Sequence, residues 1–181
     1  MIHIKKFTAL FILLLSLQGC LVFKSVSYEI NLSDDTSGTV TMKFTDIRSD
    51  ATNATQLEAD KKHLFQDMLK SDEFVQENRE QGKNIIDRKL YISEGKLDGT
   101  VKYSFDDISN VENFVYQEPF YYVTFGLKDS IISTNGEVIV SEGRKRIMWD
   151  NSMKTLKFEW FSTDTDNPDL VSLVQYLHKE K

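Results

Sequence analysis

The sequence predicts an α+β fold, with helices packed on a mostly antiparallel sheet of about six to eight strands. Two observations carry this prediction. Apolar and polar residues alternate in several short segments, and period-two alternation is typical of half-buried strands. Two other segments show the wider spacing of an amphipathic helix, one after the first two strands and one near the C-terminus.

The first two strands are predicted to form a hairpin. In residues 26–32, VSYEINL, every second side chain is apolar, and the same alternation returns in residues 39–45. Residues 33–38, SDDTSG, separate the two segments and have the composition of a turn. One face of this hairpin is therefore expected to lie on the core.

A long helix is predicted over about residues 55–80. Thr55 and Glu58 match the capping-box pattern at its start, and Gly82 marks its end. Apolar residues recur between them near a helical period: Leu57, Leu64, Phe65, Met68, Leu69 and Val75. We expect the apolar face of this helix to lie across the sheet.

Further strands are predicted from residue 86 onwards. Strands near 86–92 and 101–105 flank a predicted loop at 94–99. Residues 120–125, FYYVTF, are apolar or aromatic on both faces, which predicts a strand covered on both sides or bordering a pocket.

Two more hairpins and a final helix complete the prediction. Asn135-Gly136 predicts a hairpin turn, and the segment around Asp150-Asn151-Ser152 predicts another between 146–149 and 156–161. Pro168 suits the first position of a helix over about 168–179.

The N-terminus has the pattern of a bacterial export signal. Lys5 and Lys6 precede eleven uncharged residues, FTALFILLLSL, a length typical of a signal-peptide core and too short to span a bilayer core of about 30 Å. Leu17-Gln18-Gly19-Cys20 follows, and it resembles the lipobox, L-x-G-C, of bacterial lipoproteins. The alternative is a buried free cysteine in an apolar N-terminal helix.

The lipobox resemblance implies a processed, lipidated protein. Cys20 would carry a covalent diacylglycerol and an N-acyl group such as palmitate, and Leu17 and Gly19 would be read during processing. Residues 1–19 would be the signal peptide, 20–25 the lipidated cysteine and a short tether, and 26–181 a single envelope domain. The only cofactors predicted are these covalent lipids.

The lipobox resemblance also implies a location. The folded domain lies outside the cytoplasm, close to the membrane that holds its anchor. Leu21 follows the cysteine where an aspartate would mark another address, which favours the outer membrane if the host has two membranes. In a host with one membrane, the domain lies on the outer face of that membrane.

Composition argues against a nucleic-acid partner and against a disulfide within the chain. Loss of residues 1–19 removes Lys5 and Lys6, which changes the formal net charge of the chain from −6 to −8. An acidic domain repels phosphate backbones, so we expect no nucleic-acid partner. Cys20 is the only cysteine, so no disulfide forms within the chain.

Two segments resemble a known family. INLSDDTSGTVTMKFT (30–45) and GKLDGTVKYSFDDISNV (95–111) are similar to the LppM-like domain of small bacterial lipoproteins, over roughly residues 22–125. The resemblance implies a hairpin, a helix and further strands, and an envelope role involving lipid or glycolipid. It supplies no catalytic residues, and this chain departs from family members that end in a membrane span.

Two groups of residues are candidates for ligand binding. Aromatic side chains with hydroxyl groups suit a lipid or sugar groove, and these are Tyr116, Phe120, Tyr121, Tyr122 and Phe125. Ordinary core packing is the alternative for that group. Arg144, Lys145 and Arg146 form a basic cluster that suits a phosphate head group or an acidic partner, or else a solvated, charge-protected hairpin edge.

No catalytic residue and no metal site is predicted. The G-x-S-x-G and H-E-x-x-H motifs do not occur, and Asp164–Asp169 fails the EF-hand pattern because Asp169 stands where glycine is required. Asp34-Asp35 and Asp106-Asp107 would serve as acid and base only if the fold brought them together; turn formation is the alternative.

We therefore expect a membrane-anchored envelope lipoprotein that acts as a binding protein rather than as an enzyme. Its partners are membrane lipid at Cys20 and a lipid, glycan or neighbouring envelope protein. An envelope hydrolase and a structural subunit of an assembly remain the alternatives.

Substitution of the predicted anchor gives a direct test. In a bacterial host fed an alkyne-labelled fatty acid, Cys20→Ser is expected to abolish labelling, because a hydroxyl does not replace the thiolate nucleophile. Gel fluorescence of the purified chain measures the label. Labelling of the variant at the parent level would contradict the lipobox interpretation.

Overall fold

A computed structural model describes residues 20–141 and 143–177, which form thirteen strands in three antiparallel sheets. The strands are β1 (Leu21–Val22), β2 (Ser25–Leu32), β3 (Gly38–Thr45), β4 (Arg48–Ser49), β5 (Lys83–Ser93), β6 (Lys96–Phe105), β7 (Phe114–Gln117), β8 (Phe120–Gly126), β9 (Ser130–Thr134), β10 (Glu137–Ser141), β11 (Arg144–Asp150), β12 (Thr155–Phe161) and β13 (Val171–Ser172). The α+β class and the mostly antiparallel pairing are therefore confirmed, but the predicted sheet of about six to eight strands is replaced by separate sheets of six, four and three strands.

The six-stranded sheet has the order β5-β6-β3-β2-β12-β9, and a four-stranded sheet has the order β10-β11-β8-β7. A small third sheet has the order β1-β4-β13. The predicted first hairpin is confirmed as β2 and β3, with Leu32 opposite Gly38 and Val26 opposite Phe44. Its alternating residues Val26, Ile30 and Val40 are buried, as their period predicts.

The connection between β5 and β6 is tighter than the predicted loop at 94–99. Glu94 and Gly95 have φ angles of 52° and 76°, and Ser93 pairs directly with Lys96. Positive φ at both central residues is typical of a two-residue hairpin turn whose twist matches that of the strands. Residues 96–99 therefore belong to β6.

Both of the later predicted hairpins are wrong, because in each case the chain crosses between sheets. β9 pairs with β12 whereas β10 pairs with β11, so Asn135-Gly136 joins different sheets. The Asn135 Oδ1 atom accepts hydrogen bonds from Trp149 Nε1 at 2.8 Å and Lys157 N at 2.7 Å. A Cβ on Gly136 would lie 2.6 Å from that indole nitrogen. Asn135 and Gly136 therefore position the Trp149 indole between the two sheets.

The predicted long helix over 55–80 is not continuous. The chain forms α1 (Ala54–Lys62), a π-helical turn at His63–Met68, and α2 (Asp72–Glu80). Asn53 caps α1 by accepting from Gln56 N at 3.0 Å, so Thr55 lies inside the helix. Ser71 caps α2 in the same way by accepting from Glu73 N, which ends the first helical segment and begins the next.

The predicted C-terminal helix over 168–179 is much shorter. Only α3 (Val174–Leu177) is helical, and residues 178–179 lie outside the described ranges. Val171 pairs with Ser49 as part of β13, so this segment is extended. Pro168 lies in the turn that ends where Leu170 N donates to Asn167 O.

Two hydrophobic cores share one face of the six-stranded sheet. The first lies between the two large sheets and contains Ile30, Tyr103, Tyr121, Trp149 and Phe158 among others. The second lies under the helices and the small sheet and contains Ile47, Leu64, Phe65, Leu97, Leu173 and Leu177. One end of this face is therefore covered by the four-stranded sheet, and the other end by the helices and the small sheet.

A buried carboxylate, Asp46, ties the segments around the second core. Its side chain accepts from Arg48 at 3.0 Å and from the Thr165 hydroxyl at 2.7 Å, and it lies 3.2 Å from the Lys96 ammonium. Its own backbone N–H donates to Asp98. Burial alone would raise the pKa of Asp46, but the hydrogen bonds from Arg48, Thr165 and Lys96 hold it below its ordinary value.

Asp46→Asn removes this charge with little backbone cost, because asparagine also tolerates the observed φ of 50°. We expect a loss of about 2–3 kcal/mol of unfolding free energy, at or below the low end for a buried ion pair because its cations are partly exposed. The pKa of Asp46 is lowered on folding, so its contribution is present above about pH 4 and is lost on further acidification. Denaturant titrations at pH 7 and pH 3 measure both effects.

The matched control is Asp87→Asn, which breaks an exposed ion pair with Lys89 at 3.6 Å. It is expected to change stability by less than about 0.5 kcal/mol. Equal losses for the two variants would show that Asp46 is not a structural centre.

Candidate functional site

An apolar cavity of about 380 Å³ lies beside the second core, and we place its mouth at Cys20 because this lining residue is exposed. We call it the Cys20 cavity. Its apolar wall consists of Leu21, Phe23, Phe44, Ile47, Leu64, Met68, Leu69, Leu90 and Val101. Its volume is within the range of small-molecule sites, and such sites have mostly apolar walls.

The sheet side of the Cys20 cavity depends on a glycine inside a strand. Gly99 lies on β6 between Phe44 of β3 and Leu90 of β5. A Cβ at this position would lie 3.1 Å from both Ile47 Cδ1 and Leu90 Cδ2. The missing side chain therefore lets these apolar groups approach the strand and shapes the floor of the cavity.

The helical side of the cavity is formed by the π-helical turn, which places His63, Leu64 and Met68 in the wall. Arg88 fixes this turn to β5, because its Nη1 donates to the Met68 carbonyl oxygen at 2.9 Å. The guanidinium also lies 5.5 Å from the centroid of the Phe74 ring. Such single π turns are frequent at functional sites in helices.

The mouth of the cavity is held by the chain at Cys20. The Cys20 N–H donates to Asp50 Oδ1 at 2.6 Å, and its carbonyl oxygen accepts from Asp50 N at 3.1 Å. Leu21 then pairs with Ser49 in β1 and β4. The backbone of the predicted lipidation site is thus fixed on the fold, and no loose segment separates it from β1.

The charged side chains around the cavity have partners, whereas the buried hydroxyl of Thr100, which also lines the cavity, has none among the described residues. His63 Nδ1 lies 3.8 Å from Asp67 Oδ2, and its side chain is 60% exposed. Lys89 pairs with Asp87. The arrangement suits an apolar ligand that is held by burial and dispersion.

The aromatic residues predicted to bind a ligand are divided between different environments. Tyr121 is fully buried, stacks on Tyr116 with ring centroids 4.7 Å apart, and donates its hydroxyl to Asp35 O at 2.7 Å. Burial raises the pKa of Tyr121 to about 12. Phe125 packs edge-on against Phe158 in the first core. Most of this group therefore packs in or beside the core.

The remaining candidates lie on the surface of the four-stranded sheet, away from the Cys20 cavity. Arg146 stacks over Tyr122 with its guanidinium carbon 5.0 Å from the ring centroid. Lys145 donates to the Asp129 carbonyl oxygen at 2.5 Å, Arg144 is exposed, and Phe120 is 39% exposed. Only Tyr122 and Arg146 are brought into a pair that an aromatic or anionic partner would contact.

The carboxylates singled out by the sequence form turns. Asp34 accepts from the Ser37 hydroxyl and from the amides of Thr36 and Ser37, and these hydrogen bonds lower its pKa to about 2. Asp107 caps a short 3₁₀ turn by accepting from Ser109 N, and hydrogen bonds from the Ser109 side chain and amide lower the pKa of Asp107. Both groups are stabilised as anions, which is unsuited to a general acid near neutral pH.

Several sequence predictions fall outside these observations. Leu17 and Gly19 lie outside the described residues. Within the part of the chain that the structure describes, no helix is long and apolar enough to cross a bilayer. No group of three or more His, Cys, Asp or Glu side chains in those same ranges is arranged to hold a metal ion.

The Cys20 cavity is the feature that sequence reasoning missed. Its walls come from segments far apart in the chain, so no local pattern contains it. One available signal was Gly99, because an isolated glycine inside a strand often marks close approach of another group. The prediction of a loop at 94–99 concealed that signal.

Comparison with known protein families, curated proteins and solved structures finds no match to this chain. The LppM-like resemblance therefore stays a prediction.

Filling the cavity tests its capacity to hold an apolar ligand. Leu69 is a partly exposed wall residue, and Leu69→Trp is expected to reduce binding of the apolar fluorophore 1-anilinonaphthalene-8-sulfonate at least fivefold by occupying its volume. The measurement is a fluorescence titration of residues 20–181 carrying Cys20→Ser.

The control is Leu127→Trp, at a 49% exposed leucine that does not line the cavity. It is expected to leave the affinity unchanged. Equal affinities of the two tryptophan variants would show that the fluorophore binds elsewhere.

Proposed function

We propose that this protein is a cell-envelope lipoprotein, anchored through Cys20, whose Cys20 cavity binds one acyl chain of a lipid. The single observation that carries the proposal is that the residue with the lipidation signature lines a large apolar cavity. Two independent lines thus point to lipid at the same place. One is the sequence pattern, and the other is the chemistry of the wall.

The size of the cavity supports a single chain. With about 30 Å³ for a water-sized group, 380 Å³ holds about a dozen such groups. A methylene is of similar size, so the volume suits most of one acyl chain and is too small for two. Each methylene transferred from water into the wall contributes about 0.8 kcal/mol.

The position of the anchor supports a site at the membrane surface. A lipid on Cys20 enters the bilayer directly from the mouth of the cavity, because Cys20 is hydrogen-bonded to Asp50 and is followed at once by β1. The cavity therefore opens next to the bilayer. In a host with two membranes, we propose that this is the outer membrane.

The hydrolase alternative receives less support. The buried pair Asp46 and Asp98 is neutralised by Arg48, Lys96 and Lys43, and neither carboxylate lines the Cys20 cavity. A general acid instead needs a carboxyl whose pKa is raised.

A second function, docking of an envelope protein, is favoured by one observation. The edge strand β10 exposes Val138 by 44% and Val140 by 62%. Edge strands with exposed apolar side chains are templates for strand addition. Val140→Lys is expected to abolish such docking without changing lipid binding, and co-purification from membranes would measure it.

The lipid-binding proposal predicts a dependence on chain length. For residues 20–181 carrying Cys20→Ser, affinity for saturated fatty acids is expected to rise about fourfold per methylene, and to level off near a dozen carbons when the cavity is full. Titration calorimetry measures the affinities. In Leu69→Trp the plateau is expected at a shorter chain. Affinity that does not vary with chain length would overturn the proposal.

A further inference from the structure

We infer that the chain held in the Cys20 cavity is one that Cys20 itself carries, so that the protein partly sequesters its own lipid anchor. This inference rests on the proposed function, because it requires lipid on Cys20. It goes further by naming the occupant, which is covalently attached and not drawn from the surrounding bilayer.

The first argument is the fixed position of the attachment point. The Cys20 backbone is hydrogen-bonded at both its N–H and its carbonyl to Asp50, and the residue lines the cavity. A chain attached there needs no tether to reach the wall. Intramolecular binding without a flexible linker has a high effective concentration, so even a modest intrinsic affinity fills the site.

The second argument is the charge at the mouth. A free phospholipid would bring a phosphate beside Asp50 in a domain whose processed charge is −8, whereas a diacylglyceryl group on Cys20 brings none. The cations of the wall are already engaged, since Arg88 donates to Met68 O and Lys89 pairs with Asp87. The site thus has little to offer a phosphate and suits an uncharged lipid.

The third argument is the volume, which suits one chain of the two or three that the anchor would carry. The other chains stay in the bilayer. Membrane attachment by one chain is marginal and by two is stable, so withdrawing a chain into the protein weakens the hold on the membrane. The occupied cavity is therefore a state in which the protein is more easily extracted.

The test uses the full chain made in a bacterial host fed a fatty acid that carries a diazirine and an alkyne. Membranes are irradiated, the protein is purified through the alkyne, and peptides are identified by mass spectrometry. The expected product is the Cys20 peptide joined through its lipid to a peptide containing Leu64, Met68 or Leu69, in a band that migrates as a monomer.

Leu69→Trp is expected to lower the yield of this product at least fivefold and to reduce extraction of the protein by mild detergent. Leu127→Trp is expected to change neither. The result for the parent chain stands even if Leu69→Trp fails to fold.

Four outcomes overturn the inference. Wall peptides that carry a separate phospholipid would leave the proposed function intact and replace the occupant. A dimer-sized product would show that the chain enters a neighbouring copy. A lipidated Cys20 with unlabelled wall peptides would also contradict the proposal that the cavity binds an acyl chain. An unlabelled Cys20 would contradict the proposal that Cys20 carries the anchor.

Discussion

The central constraint on this fold is the apolar face of its six-stranded sheet, which is larger than the four-stranded sheet that packs on it. Between the two sheets, Tyr103, Trp149 and Phe158 are buried in the first core. The other end of the face carries Phe44, Leu90 and Leu97 and is covered by short helices and three two-residue strands. This second cover fills its space less completely, and the Cys20 cavity is the space that remains.

The parts of the fold that were predictable from sequence are those that local chemistry decides. Alternation in β2 and β3 follows from burial of one face, and Gly82 ends α2 with a φ of 76° because glycine adopts that conformation readily. The failures arise where long-range contacts decide. Asn135-Gly136 has the composition of a hairpin turn, but Trp149 and β12 recruit Asn135 for a crossing between sheets. The prediction of one long helix rested on the spacing of apolar residues from Leu57 to Val75. It overlooked Ser71, whose hydroxyl caps the start of a second helix.

The candidate site divides in the same way. Cys20 was identifiable because its signature is local and occurs in a chain with no other cysteine. Tyr121 and Phe125 were plausible ligand contacts because a pattern of aromatics does not distinguish a groove from a core, and in the folded chain both pack inward. The cavity needs Phe44, Leu64 and Leu90 at one place, and only the completed topology brings them there. The proposed anchor thus comes from a local sequence pattern, whereas the proposed binding cavity comes from contacts between distant segments.

The position of the small sheet has a consequence for how the fold would respond to a force applied at Cys20. β4 pairs with β1 on one side and with β13 on the other. The segment that follows Cys20 and the segment at 171–172 therefore pair with the same two residues, Arg48 and Ser49. If Cys20 carries the proposed lipid, a pull on that lipid would act first on these short strand pairings and on the two hydrogen bonds between Cys20 and Asp50. The two large sheets would experience this force only after the strands of the small sheet had separated. In a protein anchored as we propose, the small sheet beside the Cys20 cavity would therefore separate before the two large sheets are strained.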